Sequence, residues 1–193
     1  MTTYDLPQST LDSANNMSQA FLVDDAATMA PYWDRLTQVF KALSYILKYA
    51  DPNRLDLSFT VCREALTKAK TTTPLVDLVK SRRGHLEGTT DMNLRLTEIL
   101  EAYQTELEHP KKSFSSIYTR KPILTRPLNI YILTDGIWEP NCDASGPIKS
   151  LVNKLNQLGK GRIQVGIQFI SFGDNQRALE RLNVLDSGLG LKP

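Results

Sequence analysis

The sequence contains few of the residues that mark several large classes of protein. Its 193 residues include only two cysteines, Cys62 and Cys142, too few for a disulfide framework, so we expect a reducing compartment. No apolar run approaches the roughly 18 residues that span a bilayer. Residues 1–20 contain neither the basic segment nor the apolar segment of a secretory signal. The sequence therefore predicts a cytoplasmic protein without a membrane partner.

An excess of charge of one sign is also lacking, and histidine is scarce. The chain has 23 lysines and arginines against 21 aspartates and glutamates, and a formal net charge of +2 does not indicate a nucleic-acid partner. The two histidines, His85 and His109, do not neighbour a serine or cysteine that could act as a nucleophile. We therefore expect a binding protein rather than an enzyme.

Apolar strands alternate with amphipathic helices after a polar leader. We expect a flexible leader over residues 1–17 and one domain over residues 18–193. The alternation is typical of a doubly wound, mainly parallel α/β sheet with helices on both faces. The segment from residue 63 to 73 fits either a helix turn or a weak edge strand. The predicted strands are residues 19–24, residues 55–61, the segment that Pro127 opens and residues 163–172. The predicted helices include residues 33–47, 74–79, 96–107, 148–158 and 177–185.

Carboxylates follow two of these strands directly. One apolar strand runs into Asp24 and Asp25, and another runs into Asp135. In open α/β sheets, ligands bind beyond the carboxyl ends of the strands, so these side chains stand where a site is expected. With the hydroxyls of Thr28 and Thr90, they offer the oxygen ligands that a hard divalent cation such as Mg²⁺ prefers. The alternative is that each aspartate only caps the helix after it.

These residues resemble the motif of the von Willebrand factor A (vWA) domain, and the resemblance covers about residues 18–191. The family motif is a strand ending in D-x-S-x-S, a threonine on a later loop, and a strand ending in T-D-G, which together form the metal-ion-dependent adhesion site. Here the first part reads D-D-A-A-T from Asp24 to Thr28, which is nearest to intracellular versions common in fungal proteins. Thr90, six residues before Leu96, is the loop threonine, and T-D-G includes Asp135.

The resemblance implies a protein–protein interaction module whose partner offers an acidic side chain to a bound metal ion. Mg²⁺ is the implied ion, with Mn²⁺ or Ca²⁺ as substitutes. Ala26 stands where the family has the first serine, so the implied site is degenerate and lacks one direct ligand. The implied ligands are Asp24, Thr28, Thr90 and Asp135, with Asp25 and Asp91 as auxiliary candidates.

Two alternative functions stay open. The domain could be a vWA scaffold that binds its partner without a metal. It could also be a Mg²⁺-dependent phosphohydrolase of the haloacid-dehalogenase type, which places a nucleophilic aspartate after the first strand. That chemistry requires a second aspartate two residues later as the general acid, and Ala26 occupies this position. The phosphohydrolase is therefore the less favoured alternative.

The resemblance also predicts an open sheet edge. The family has the strand order 3-2-1-4-5-6, and this chain stops before a sixth strand, as a fragment, a shortened domain or a domain completed by a partner. We therefore expect residues 163–172 at the edge, with unpaired backbone groups that favour self-association.

A basic connection precedes the second core strand. Residues 109–126 contain five lysines and arginines and no acid. Such a segment is either a solvated loop or a contact for an acidic partner.

Overall fold

Five strands form one sheet in the computed structural model, which describes residues 17–50, 55–109, 125–160, 164–187 and 189. The spatial order is β3-β2-β1-β4-β5. All neighbouring pairs are parallel except β2 and β3, which are antiparallel. The mainly parallel α/β sheet is thus confirmed. The strands are β1 (Ser18–Val23), β2 (Leu55–Phe59), β3 (Ala65–Ala69), β4 (Leu128–Thr134) and β5 (Val165–Ser171).

Helices cover both faces of this sheet. The α-helices are α1 (Trp33–Ala50), α2 (Thr73–Ser81), α3 (Met92–Glu108), α4 (Ser145–Gln157) and α5 (Gln176–Ser187). Short 3-10 helices occupy Ala27–Tyr32 and Arg82–His85. Within the described part of the chain, no helix combines the length and the apolar character that a membrane crossing requires.

Two apolar clusters, one on each face, hold the layers together. Phe21 of β1 packs with Phe40 of α1 and with neighbours from α2 on one face. Leu22 faces the other way and packs with Leu96 of α3 and Leu151 of α4. Because β1 lies in the centre of a sheet covered on both sides, consecutive residues are buried, as expected for parallel strands.

Several element boundaries differ from the prediction for identifiable reasons. The segment from residue 63 to 73, which fitted either a helix turn or an edge strand, contains the edge strand β3. A 3-10 helix that contains Pro31 precedes α1 and was not among the predicted elements. The strand predicted over residues 55–61 ends at Phe59, because the N–H of Val61 turns away to bond Asp25 Oδ1.

Three predictions fall on segments that the structure does not describe. The proposed leader lies outside the described residues except for Met17. Most of the basic connection lies outside them as well, between residues 110 and 124, and so does residue 163 at the start of the last predicted strand. β5 is the last strand at one side of the described sheet, as predicted from the strand order.

Candidate metal site at the strand ends

The register of the three central strands brings polar residues together at one edge of the sheet. Val23 of β1 pairs with Phe59 of β2 and with Leu133 of β4. The next residue along each strand is therefore part of one row, which contains Asp24, Thr60 and Thr134. The apolar strands position this row, and the loops beyond the row form the candidate site.

Asp24 is the centre of the row and is fully buried. Its Oδ1 accepts hydrogen bonds from the hydroxyl of Thr90 (2.5 Å) and the N–H of Ala26 (3.2 Å), and its Oδ2 accepts one from the hydroxyl of Thr134 (2.6 Å). Burial raises the pKa of Asp24 to about 6. The neighbouring charge of Asp135 also raises this pKa, whereas the hydrogen bonds from Thr134 and Thr90 lower it. A cation beside this carboxylate would relieve the cost of burying its charge.

Thr134 has no capacity left for a ligand, because its hydroxyl makes three hydrogen bonds. It donates to Asp24 and accepts from the N–H of Gly136 (3.0 Å) and from Nε1 of Trp138 (2.9 Å). A hydroxyl has one proton and two lone pairs, so all its positions are in use. The loop after β4 is thereby fixed against the strand end.

Gly136 is required at the tip of that loop. Its φ of +75° lies in the left-handed region, and a Cβ there would stand 3.0 Å from the Cβ of Ala178 in α5. Arg181 of the same helix donates to the carbonyl of Gly136 (3.0 Å) and lies over the ring of Trp138. The backbone conformation and the close packing of Ala178 therefore explain why the T-D-G sequence has a glycine at this position.

Asp135 differs from Asp24 in that only one of its two carboxylate oxygens accepts a hydrogen bond among the described residues. Oδ1 accepts the N–H of Ile137 at 2.8 Å. Oδ2 is buried and has no hydrogen-bond partner among the described residues. The side-chain oxygen of Thr28, within the 3-10 helix after β1, is buried and unpartnered in the same sense. Buried polar atoms without a partner are uncommon and costly, so these two oxygens are open positions for a ligand.

The two auxiliary candidates have other contacts. Both oxygens of Asp25 are used: Oδ1 accepts the N–H of Val61, and Oδ2 accepts the N–H of Cys62 (3.2 Å) and pairs with Arg82 (2.9 Å). Asp91 caps α3, where its Oδ1 accepts the N–H of Leu94 at 2.9 Å. Asp91, predicted as an auxiliary ligand, is therefore the N-cap of this helix.

The donor set fits a hard divalent cation in its chemistry. Asp24, Thr90 and Asp135 lie together, since Thr90 bonds Asp24 and the charge of Asp135 acts on it. Thr28 makes no hydrogen bond to them. No three histidine, cysteine, aspartate or glutamate side chains of the described residues form a group that could hold a metal ion, so hydroxyls would have to complete the set. Carboxylate, hydroxyl and water oxygens are the usual Mg²⁺ ligands.

Sequence reasoning did not identify the hydroxyl of Thr60 as part of this cluster. Its Oγ1 lies 2.9 Å from Thr90 Oγ1 and 3.3 Å from Asp24 Oδ1. The prediction placed Thr60 inside a strand that continued to Val61, which hid its position beyond the strand end. The signal that could have found it is the register, because Thr60 is the β2 counterpart of Asp24.

The fold resembles those of several solved structures, including the following two. One is the proximal thread matrix protein 1 from the mussel byssus, with a TM-score of 0.53 and 12% identity over 87% of this chain and 41% of that one. The other is the manganese-loaded TRAP protein of Plasmodium vivax, with a TM-score of 0.49 and 17% identity over 93% of this chain and 65% of that one. The present chain therefore spans less than two thirds of the length of each. No protein-family model and no curated protein sequence matches it.

At 12% identity, the likeness to the mussel protein concerns the fold alone. It agrees with an α/β fold that has a five-stranded, mainly parallel central sheet flanked by helices. The manganese belongs to the TRAP structure, and the chemistry of the present site depends on its own residues.

Proposed function

We propose that this chain is a non-catalytic protein–protein interaction module of the vWA type, related to the intracellular versions of the fold. A divalent cation at the ends of β1 and β4 would link it to an acidic side chain of the partner. The observation that carries the proposal is the unpartnered Oδ2 of Asp135, buried in the same cluster as the carboxylate of Asp24. Two buried carboxylates without a cation among the described residues are unfavourable neighbours, and a bound cation would stabilise both.

Each residue has a defined part in this proposal. Asp135 and Thr28 would offer their unpartnered oxygens, and Thr90 would offer the lone pair that its hydrogen bonds leave free. Asp24 would hold the Thr90 and Thr134 hydroxyls in position and balance the charge of the ion. The ion, when bound, would supply an open coordination position for a carboxylate of the partner. Mg²⁺ suits this oxygen set, and Mn²⁺ or Ca²⁺ would serve as substitutes.

Two features support binding rather than catalysis, and a third supports a reducing, cytoplasmic location. Asp24, which would be the nucleophile of a phosphohydrolase, is fully buried, with hydrogen bonds on both of its oxygens. Ala26 cannot act as a general acid. The two cysteines are free, as expected in a reducing compartment.

Calorimetric titration with Mn²⁺ and Mg²⁺ tests the proposal. We expect saturable binding by the wild type and its loss in Asp135→Ala. Asp143→Ala is the matched control, because the hydrogen bonds that Asp143 accepts in the described structure come from Ser145 at the start of α4. A folded wild type that takes up neither ion would contradict the metal-dependent function. Partner binding that is equal in EDTA and in Mg²⁺ would favour the metal-independent scaffold.

A second proposal concerns self-association through β5. The N–H of Phe172 donates to the carbonyl of Thr134. Because backbone groups of a parallel strand alternate in direction, the odd-numbered residues of β5 direct theirs away from β4. The side chains of those residues line a groove of about 970 Å³ between α4 and α5. Val165, Ile167, Phe169 and Ser171 combine groove-lining side chains with backbone groups that no strand pairs with among the described residues.

The strand β5 carries no charge, and charge is a common protection against edge-to-edge pairing. We expect Gln168→Lys, at an exposed position of β5, to reduce association measured by light scattering over a concentration series. Gln157→Lys, at an exposed position of α4, is the matched control. A wild type that stays monomeric at high concentration would overturn this second proposal.

A further inference from the structure

A chain of hydrogen bonds runs through the buried hydroxyls between β1 and β2. The N–H of Asp25 donates to Thr60 Oγ1 at 3.3 Å, and Thr60 Oγ1 lies 2.9 Å from Thr90 Oγ1. The hydroxyl of Thr90 donates to Asp24 Oδ1 at 2.5 Å. Thr60 and Thr90 are 5% and 0% exposed, so bulk water does not compete for these contacts.

The proton of each hydroxyl can be assigned. A hydroxyl has one proton and two lone pairs. The proton of Thr90 points to Asp24, so Thr90 must be the acceptor in its contact with Thr60. The proton of Thr60 has two longer alternatives, 3.3 Å to Asp24 Oδ1 and 3.4 Å to Asp25 Oδ1, so the shorter distance of 2.9 Å favours Thr90 as its acceptor. Thr90 is left with one lone pair, and the two hydrogen bonds fix its direction.

The backbone on both sides of Thr60 is held in place. Before it, the carbonyl of Phe59 accepts a hydrogen bond from Nε of Arg95 at 2.8 Å, and Arg95 is 9% exposed. After it, the N–H of Val61 donates to Asp25 Oδ1 at 2.8 Å. Thr60 therefore cannot move away from Thr90 without breaking one of these anchors.

We propose that Thr60 is a positioning residue of the candidate metal site: it turns the hydroxyl of Thr90 so that its remaining lone pair is available to the cation. This inference rests on the proposed function, because it concerns the same ion. Groups behind a metal ligand commonly set its orientation, and their loss typically weakens metal binding about tenfold or more. The role is important here because Ala26 leaves few direct ligands.

Mn²⁺ titration of two Thr60 variants tests this inference. Thr60→Val keeps the volume of the side chain and removes the hydroxyl, and we expect Mn²⁺ affinity to fall about tenfold. Thr60→Ser restores the hydroxyl and should restore the affinity, which a merely structural role of the methyl group would not explain. Ser58→Ala is the matched control. It removes a hydroxyl from β2, the strand that leads to Thr60, and that hydroxyl bonds the carbonyl of Phe21 and lies outside the chain of hydroxyls. We expect its affinity to equal that of the wild type.

The outcomes separate this inference from the proposed function. Equal Mn²⁺ affinity in the wild type and in Thr60→Val would overturn the inference and leave the proposed function standing. Failure of Thr60→Ser to recover the affinity would overturn the inference as well. No Mn²⁺ binding by the wild type would overturn both. If Thr60→Val does not fold, Thr60→Cys replaces it, since a thiol donates only weakly, and the same comparisons apply.

Discussion

Asp25 and Asp135 each follow a buried parallel strand, yet their carboxylates have opposite surroundings. Asp25 receives backbone N–H groups from Val61 and Cys62 and an ion pair from Arg82. Asp135 receives one backbone N–H, and its second oxygen has no hydrogen-bond partner among the described residues. Both residues are almost fully buried, at 0% and 2% exposure, so bulk water does not make up the difference.

This difference separates a carboxylate that holds the fold from one that is open to a ligand. The contacts of Asp25 tie the end of β2 and the 3-10 helix Arg82–His85 to the end of β1. Removing one partner of a buried ion pair leaves the other charged group uncompensated. Asp135 has no such charged partner among the described residues, and a bound cation would offset the cost of burying its charge.

The largest expected effect is that of Asp25→Ala on the free energy of unfolding. Loss of the carboxylate leaves two backbone N–H groups without an acceptor and the charge of Arg82 without its partner. We expect a destabilisation of about 3–5 kcal/mol, measured by urea unfolding in EDTA. Asp135→Ala is the comparison, and we expect a change within about 1 kcal/mol, the net value of one hydrogen bond. Equal losses in the two variants would remove the distinction between the two carboxylates.

The next effect is a pH dependence that arises from Asp24. In the folded protein the pKa of Asp24 is about 6, above its ordinary value of 3.8, so the folded state binds the proton more tightly. The stabilisation from this group is therefore full below pH 3.8 and is lost as the pH rises to about 6. This difference between the two pKa values corresponds to about 3 kcal/mol in the free energy of unfolding.

Urea unfolding in EDTA at several values between pH 4.5 and pH 7 measures this effect. We expect Asp24→Asn to remove most of the decrease seen in the wild type, because the amide does not titrate. Saturating Mn²⁺ at pH 7 should recover stability in the wild type and not in the variant. An identical pH profile for the two proteins would show that Asp24 is not the group responsible.

The smallest of the three effects is a gain in metal affinity from Ala26→Ser. Ala26 is buried beside Asp24 and belongs to neither apolar cluster, so a hydroxyl there adds an oxygen near the site rather than to the core. We expect a gain of roughly 1.5–3 kcal/mol, or about ten- to a hundredfold in Mn²⁺ affinity by calorimetry. Asp135→Ala in the same background should abolish the gain, since both groups would contact one ion. If it does not, the two residues do not share a site.

Much of the fold could be predicted because its signals are local. Apolar strands, helical spacing and turn residues gave the alternation that defines a mainly parallel sheet, and the strand order followed from the family resemblance. The segment that forms β3 was ambiguous for a physical reason. It is an exposed antiparallel edge with a register shift, and Lys68 adopts a φ of 59°, so it lacks the apolar pattern of the inner strands.

The candidate site was only partly predictable because its decisive contacts join distant residues. Asp24 and Thr90 were predicted from a motif and lie together. The pairing of Asp25 with Arg82 joins residues 57 positions apart, and no local pattern shows it. Thr60 was missed for a related reason: its place beside Asp24 depends on the register between β1 and β2.

The central claim is that one divalent cation binds between the carboxylates of Asp24 and Asp135. A crystal soaked in Mn²⁺ and measured near the manganese absorption edge tests it most directly, because anomalous scattering locates the ion. We predict an anomalous peak about 2 Å from Oδ2 of Asp135, within reach of the Thr90 hydroxyl. A well-ordered site with no peak, or a peak only at surface carboxylates elsewhere, would contradict the claim.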